Sequence, residues 1–64
     1  MEFRIEFDRE EDGRWIADIP ELPGVLAYGA TQEEAKAGAE ALALRVLADR
    51  IEESKQTIPA VTFA

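Results

Sequence analysis

The chain has 64 residues and contains neither cysteine nor histidine. Disulfides and Cys/His zinc sites are therefore excluded as sources of stability. Ser–His and Cys–His nucleophile pairs are excluded too, and the lone Ser54 has no base beside it. No apolar run approaches the ~18 residues of a membrane span. The opening Met-Glu-Phe-Arg-Ile-Glu is alternating and acidic, unlike a secretory signal, so a cytoplasmic location is the default expectation. Basic residues are scarce, with seven Lys and Arg against 14 Asp and Glu and a net charge of −7. Phosphate neutralisation needs clustered Lys and Arg, so a dedicated nucleic-acid-binding role is not expected. Asn is absent and Gln occurs twice, which together with the high charge suits a thermophile.

A chain this short buries proportionally little surface, so idealised local structure or oligomerisation has to supply stability. The acidic excess suits a basic partner steered by long-range attraction. It suits plain solubility equally well.

Residues 2–9 alternate strictly, with Glu2, Arg4, Glu6 and Asp8 on one face and Phe3, Ile5 and Phe7 on the other. A period of two predicts a half-buried antiparallel strand. A second run, Arg14 to Ile19, groups Trp15, Ala17 and Ile19. A two-residue turn at Asp12-Gly13 would pair Phe7 with Asp18 and set the apolar residues on opposite faces. A three-residue loop, Glu11-Asp12-Gly13, instead pairs Phe7 with Ala17 and Ile5 with Ile19, with Gly13 as the left-handed residue of a bulge. The longer loop is therefore preferred. Pro20 and Pro23 bracket a bend ending at Gly24, and Val25–Tyr28 reads as a third strand whose buried face its all-apolar composition leaves open.

Thr31-x-x-Glu34 is a capping box, and good helix formers follow to about Ser54. Gly38 interrupts them, which implies close approach to the sheet. Ala35, Ala39, Leu42, Ala43, Val46 and Leu47 form the stripe expected to lie on that sheet. A second arc of Ala37, Ala41, Leu44, Ala48 and Ile51 lies roughly opposite. Leu44, Ala48 and Ile51 would then form a subunit or partner face, or else the arc is alanine-rich filler. Ile58–Phe63 reads as a fourth strand, and Pro59 confines it to an edge or to the strand's first residue. The expected fold is α+β in the order β-β-β-α-β. A three-stranded antiparallel meander plus a C-terminal strand carries one long helix on one face, in a single domain spanning residues 1–64.

Candidate sites are few. Asp8 and Asp18 on adjacent strands are the only carboxylate pair worth weighing for magnesium, but alternation places them on a polar face where charges are simply solvated. No metal site, cofactor or catalytic residue is expected. Gly24 and Gly29 are separated by an apolar strand, which fails the phosphate-loop and dinucleotide templates and leaves turn geometry as their explanation. Trp15 is either a core residue or an exposed anchor of the kind favoured at binding sites. The bend Pro20-Glu21-Leu22-Pro23-Gly24 is either a projecting recognition loop with Leu22 poorly covered or a stiff turn. Glu21, Leu22, Pro23 and Trp15 are thus the candidate partner contacts.

The spacing Asp12-Gly13-x-Trp15-x-Ala17-x-x-Pro20-Glu21-Leu22-Pro23-Gly24, followed by Gly29-x-Thr31-x-Glu33-Glu34-Ala35, closely resembles the HicB-like antitoxin family over Asp12–Ala41. The resemblance implies a small α+β domain that binds a small basic HicA-type toxin and blocks its cleavage of messenger RNA. Homodimerisation and steric coverage of the toxin are the expected mode, without direct nucleic-acid or membrane binding. In that family a C-terminal DNA-binding module usually follows. Here the sequence stops at Ala64, so operon repression by this polypeptide is not expected. Two other readings remain beside it: a structural or regulatory adaptor with no toxin partner, and a magnesium-dependent nuclease using Asp8 and Asp18.

Overall fold

The computed structural model describes all 64 residues. Its elements run β1 (Glu2–Phe3), β2 (Glu6–Arg9), β3 (Trp15–Asp18), β4 (Leu26–Gly29), α1 (Gln32–Ser54) and β5 (Thr62–Phe63). β2, β3 and β4 form an antiparallel sheet with β3 central, while β1 pairs in parallel with β5. The helix lies over β3 and β4. This is the α+β arrangement that the alternation and the helix pattern predict.

The hairpin register follows from burial. Phe7 pairs with Ala17 and Arg9 with Trp15, as the three-residue loop requires, and both apolar sets meet on the helix side. The Glu10 N–H donates to the Arg14 carbonyl at 2.8 Å and the Gly13 N–H to the Glu10 carbonyl at 2.9 Å. Gly13 takes φ +91°, which closes the loop as a bulge.

The run 2–9 is not one strand. It divides at Arg4–Ile5 because its two halves pair on opposite edges: residues up to Ile5 bond to β5, and Glu6 onward bonds to β3. The expected Ile5–Ile19 pairing lies beyond the end of the β2–β3 ladder. In that register Arg4 would face Pro20, which has no N–H to donate, so the ladder stops at Glu6–Asp18. Beyond that point the Glu21 carboxylate holds Arg4 from the bend instead. It accepts from Arg4 Nε at 3.1 Å and, at 3.5 Å, lies at the limit of reach of the Arg4 N–H.

The C-terminal strand is likewise shorter than Ile58–Phe63. Pro59 keeps the chain irregular, and regular pairing begins only where the Thr62 N–H reaches the Met1 carbonyl at 2.9 Å. Phe3 and Phe63 stack across this parallel pair with ring centroids 6.0 Å apart.

The helix starts at the predicted cap, Thr31, although the Glu34 carboxylate reaches one residue further back than the box requires. Thr31 Oγ1 accepts from the Glu34 N–H at 3.1 Å, and the Glu34 carboxylate accepts from the Ala30 N–H at 3.0 Å. Its buried stripe is Ala35, Ala39, Ala43 and Leu47, with Leu42 and Val46 packed at the margin. Small residues there bring the helix backbone close to the sheet. A Cβ at Gly38 would sit 2.9 Å from the Ala27 Cβ, and one at Gly29 would meet the Ala35 backbone N at 2.5 Å. Gly29 therefore serves helix docking rather than a turn, whereas Gly24, at φ +85°, does serve one. The helix ends at Lys55, a non-glycine residue with φ 61° whose N–H bonds to the Ile51 carbonyl at 2.8 Å.

Candidate functional site: the open face of the sheet

The helix covers one face of the β2–β3–β4 sheet, and the other face is open. Strand register fixes what it displays. Glu6, Asp18 and Leu26 form one row across the three strands, and Asp8, Ile16 and Tyr28 form the next. Leu26 and Tyr28 are 39% and 47% exposed, which settles the face of the third strand that composition alone left open. Val25 and Ala27 turn toward the helix. Glu6, Asp8, Ile16, Asp18 and Leu26 line a shallow open depression on this face.

The charges here are unevenly matched. Arg14 is held by Asp12 at 2.8 Å, and its guanidinium lies 4.6 Å from the centre of the Tyr28 ring. Arg4 bridges to Glu21 at 3.1 Å and approaches Glu6 only at 4.0 Å. The local arginines are thereby committed to Asp12 and Glu21. Both carboxyls sit below their ordinary pKa values. For Asp12 the main cause is the Arg14 N–H donating to it, and for Glu21 it is its own backbone N–H, with Arg4 adding to the effect. Asp8 accepts only from the adjacent Arg9 N–H. Asp18 is half-buried, and its carboxylate has no ion pair and no hydrogen bond from its own chain. Its direct cross-strand neighbour is Glu6, a like-charge pairing that costs stability. The sequence had singled out Asp8 and Asp18 as the carboxylate pair, but register makes those two diagonal and Glu6–Asp18 the facing pair. No group of three or more Asp or Glu side chains converges as a metal cage would require.

The other candidates fall elsewhere. Leu22 is 2% exposed and lies in the core, which corrects its assignment as a projecting contact. The Leu22 N–H donates to the Ile19 carbonyl and the Val25 N–H to the Leu22 carbonyl, and these bonds fold the bend inward. Pro23 and Glu21 are exposed, although Glu21 is occupied by Arg4. Trp15 is half-buried against the core, with the Arg9 guanidinium 5.1 Å from its ring centre. On the helix, Leu44 is 50% exposed and Ala48 is exposed. Ile51, expected to be open, is half-buried and lines a groove with Met1, Leu47, Ile58 and Pro59.

Compared with protein-family models, curated proteins and solved structures, the chain matches none. No helix is long and apolar enough to cross a membrane.

The open face grades from an apolar β4 edge, Leu26 and Tyr28 with Ile16 beside them, to carboxylates at Asp18 on the central strand and at Glu6 and Asp8 on β2. Exposed aromatic and aliphatic side chains beside charged ones are a combination that protein interfaces use. Sequence reasoning named Asp8 and Asp18 only as metal candidates and passed over Leu26 and Tyr28. The alternation of the third strand would have revealed the pair only if its inward face had been known.

Proposed function

We propose that the chain is a non-catalytic protein-binding domain that acts as an antitoxin, covering a small basic HicA-type toxin and preventing it from cutting messenger RNA. The observation that carries this reading is the open sheet face, an exposed Leu26–Tyr28 patch bordered by carboxylates whose local arginines are already engaged. A basic partner with an apolar contact would supply the missing cation for Asp18 and cover both side chains. The HicB-like spacing between Asp12 and Ala41 supplies the partner class. The mode is steric, and no residue of this chain takes part in chemistry.

The test is co-purification of the tagged chain with the small basic protein encoded beside its gene, followed by an RNA-cleavage assay on the complex. A stoichiometric complex that suppresses cleavage, and that Asp18→Lys disrupts, is the expected result. Failure to form any complex would leave the domain as an adaptor and overturn the antitoxin assignment.

A further inference from the structure

The two free edges of the β2–β3–β4 sheet are not equivalent. On β2, the groups pointing away from β3 belong to Phe7 and Arg9, because the Glu10 N–H bonds to the Arg14 carbonyl and bonding residues alternate. That edge is blunted. Glu6, Asp8 and Arg9 place charges along it, and Asp8 Oδ1 accepts the Arg9 N–H at 2.8 Å. Charged side chains are a standard protection against strand addition.

The β4 edge has no such protection. From Val25 to Ala30 the sequence is Val-Leu-Ala-Tyr-Gly-Ala, without a charge or a proline. The Ile19 N–H bonds to the Val25 carbonyl at 3.0 Å, so Val25, Ala27 and Gly29 face β3. The N–H and C=O groups of Leu26 and Tyr28 then face outward, where no strand follows. In a molecule of net charge −7, this is an uncharged length of open backbone. The molecule is also extended for its size. Its radius of gyration is 12.6 Å, against about 10.7 Å for a compact 64-residue domain. Its accessible surface is 4480 Å², against about 4,100 Å² for a monomer of this mass.

We infer that β4 is the dimer interface, pairing antiparallel with β4 of a second copy to make one six-stranded sheet. The register follows from the alternation. With a two-fold axis at Ala27, Leu26 of each copy forms a hydrogen-bonded pair with Tyr28 of the other, satisfying all four outward groups per strand. Each Leu26 side chain then lies directly opposite a tyrosine ring on the open face, a favourable aliphatic–aromatic cross-strand contact. The charge beside the junction is Arg14, whose guanidinium lies 4.6 Å from the Tyr28 ring centre and is paired with Asp12. Each row of the joined face runs Glu6, Asp18, Leu26, then Tyr28, Ile16 and Asp8 of the second copy. The apolar patches merge in the centre and the carboxylates lie at both ends. The pairing concerns the chain alone and is measured without any toxin, so its outcome is independent of the antitoxin assignment.

The experiment is sedimentation equilibrium of the full chain with Leu26→Lys, Tyr28→Pro and Leu44→Glu variants, alongside far-UV circular dichroism and amide hydrogen exchange. Position 26 is exposed, and the Tyr28 N–H makes no bond to β3, so both edge variants keep their internal ladder. Wild type is expected at twice the 7.1 kDa chain mass. The two edge variants should be monomeric with an unchanged helix signal, and Leu44→Glu should remain dimeric. The Leu26 and Tyr28 amides should gain protection as wild-type concentration rises. A wild type that stays monomeric to millimolar concentration would overturn the inference. So would a dimer dissociated by Leu44→Glu but not by the edge variants, or one whose Leu26 and Tyr28 amides stay unprotected.

Discussion

Ile19 and Leu22 are the largest side chains withdrawn completely from water, and they lie three residues apart at the end of β3 and in the bend that follows. Leu22 is held there by backbone hydrogen bonds on both sides, to Ile19 at 2.9 Å and from Val25 at 3.0 Å, while Pro20, Glu21, Pro23 and Gly24 around it remain exposed. The bend is therefore a lid whose single apolar residue points inward. Truncating Leu22 to Ala should cost about 2–5 kcal/mol, the range for deleting a buried leucine. A domain of this length has a total stability of roughly 3–10 kcal/mol, so Leu22→Ala should remove a large share of it and lower the urea midpoint markedly. Pro23→Ala, next to it but exposed, should lose no more than about 1 kcal/mol, mainly by loosening the unfolded chain. Urea denaturation of the two variants checks the contrast. Equal losses would mean that the bend is held by its prolines rather than by its core contact.

At the scale of elements, close helix–sheet docking decides the outcome of a substitution that local propensity would favour. Gly38→Ala should gain about 1 kcal/mol of helix propensity, yet its Cβ would stand 2.9 Å from the Ala27 Cβ. Neither atom is at the end of a flexible side chain, so the helix must shift away from β4. A net loss of roughly 1–3 kcal/mol is expected from overpacking. Adding Ala27→Gly should recover part of it, and a double-mutant cycle by thermal or urea unfolding measures that coupling. The sequence shows this element's span, its cap and its buried stripe because those depend on spacing within one segment. The Phe7–Ala17 register was legible for the same reason, since only one loop length brings two alternating strands to a common face. The division of the first strand, the burial of Leu22 and the exposed side of Leu26 and Tyr28 were not. Each depends on which distant segment arrives: β5 beside β1, the bend over Ile19, and the helix against Val25 and Ala27. The carboxylates of the open face could be read from alternation, but its apolar β4 edge could not.

Over the whole molecule, the net charge of −7 opposes compaction and favours capture of a cationic partner, and Asp18 lies where the two effects meet. It sits directly across from Glu6, half-buried, while Arg4 reaches Glu6 only at 4.0 Å and is held mainly by Glu21 at 3.1 Å. Facing like charges on paired strands weaken a sheet by roughly 0.2–1 kcal/mol. Asp18→Asn should therefore raise the unfolding midpoint modestly in the free protein. The same change removes the carboxylate nearest to Leu26 and should slow association with a basic partner. The wild-type association rate should fall as salt is added, because screening acts on exposed charges at distances beyond about 10 Å at 0.1 M. Asp18→Asn should show a shallower salt slope, with a smaller change in dissociation if its charge acts mainly through steering. Stopped-flow binding at several ionic strengths, beside thermal unfolding of the free domain, separates these effects. A variant more stable yet unchanged in association would place the partner away from the open face. One that is less stable would mean that Asp18 has an internal partner in solution, and the Glu6–Asp18 repulsion would not be a cost the free domain bears.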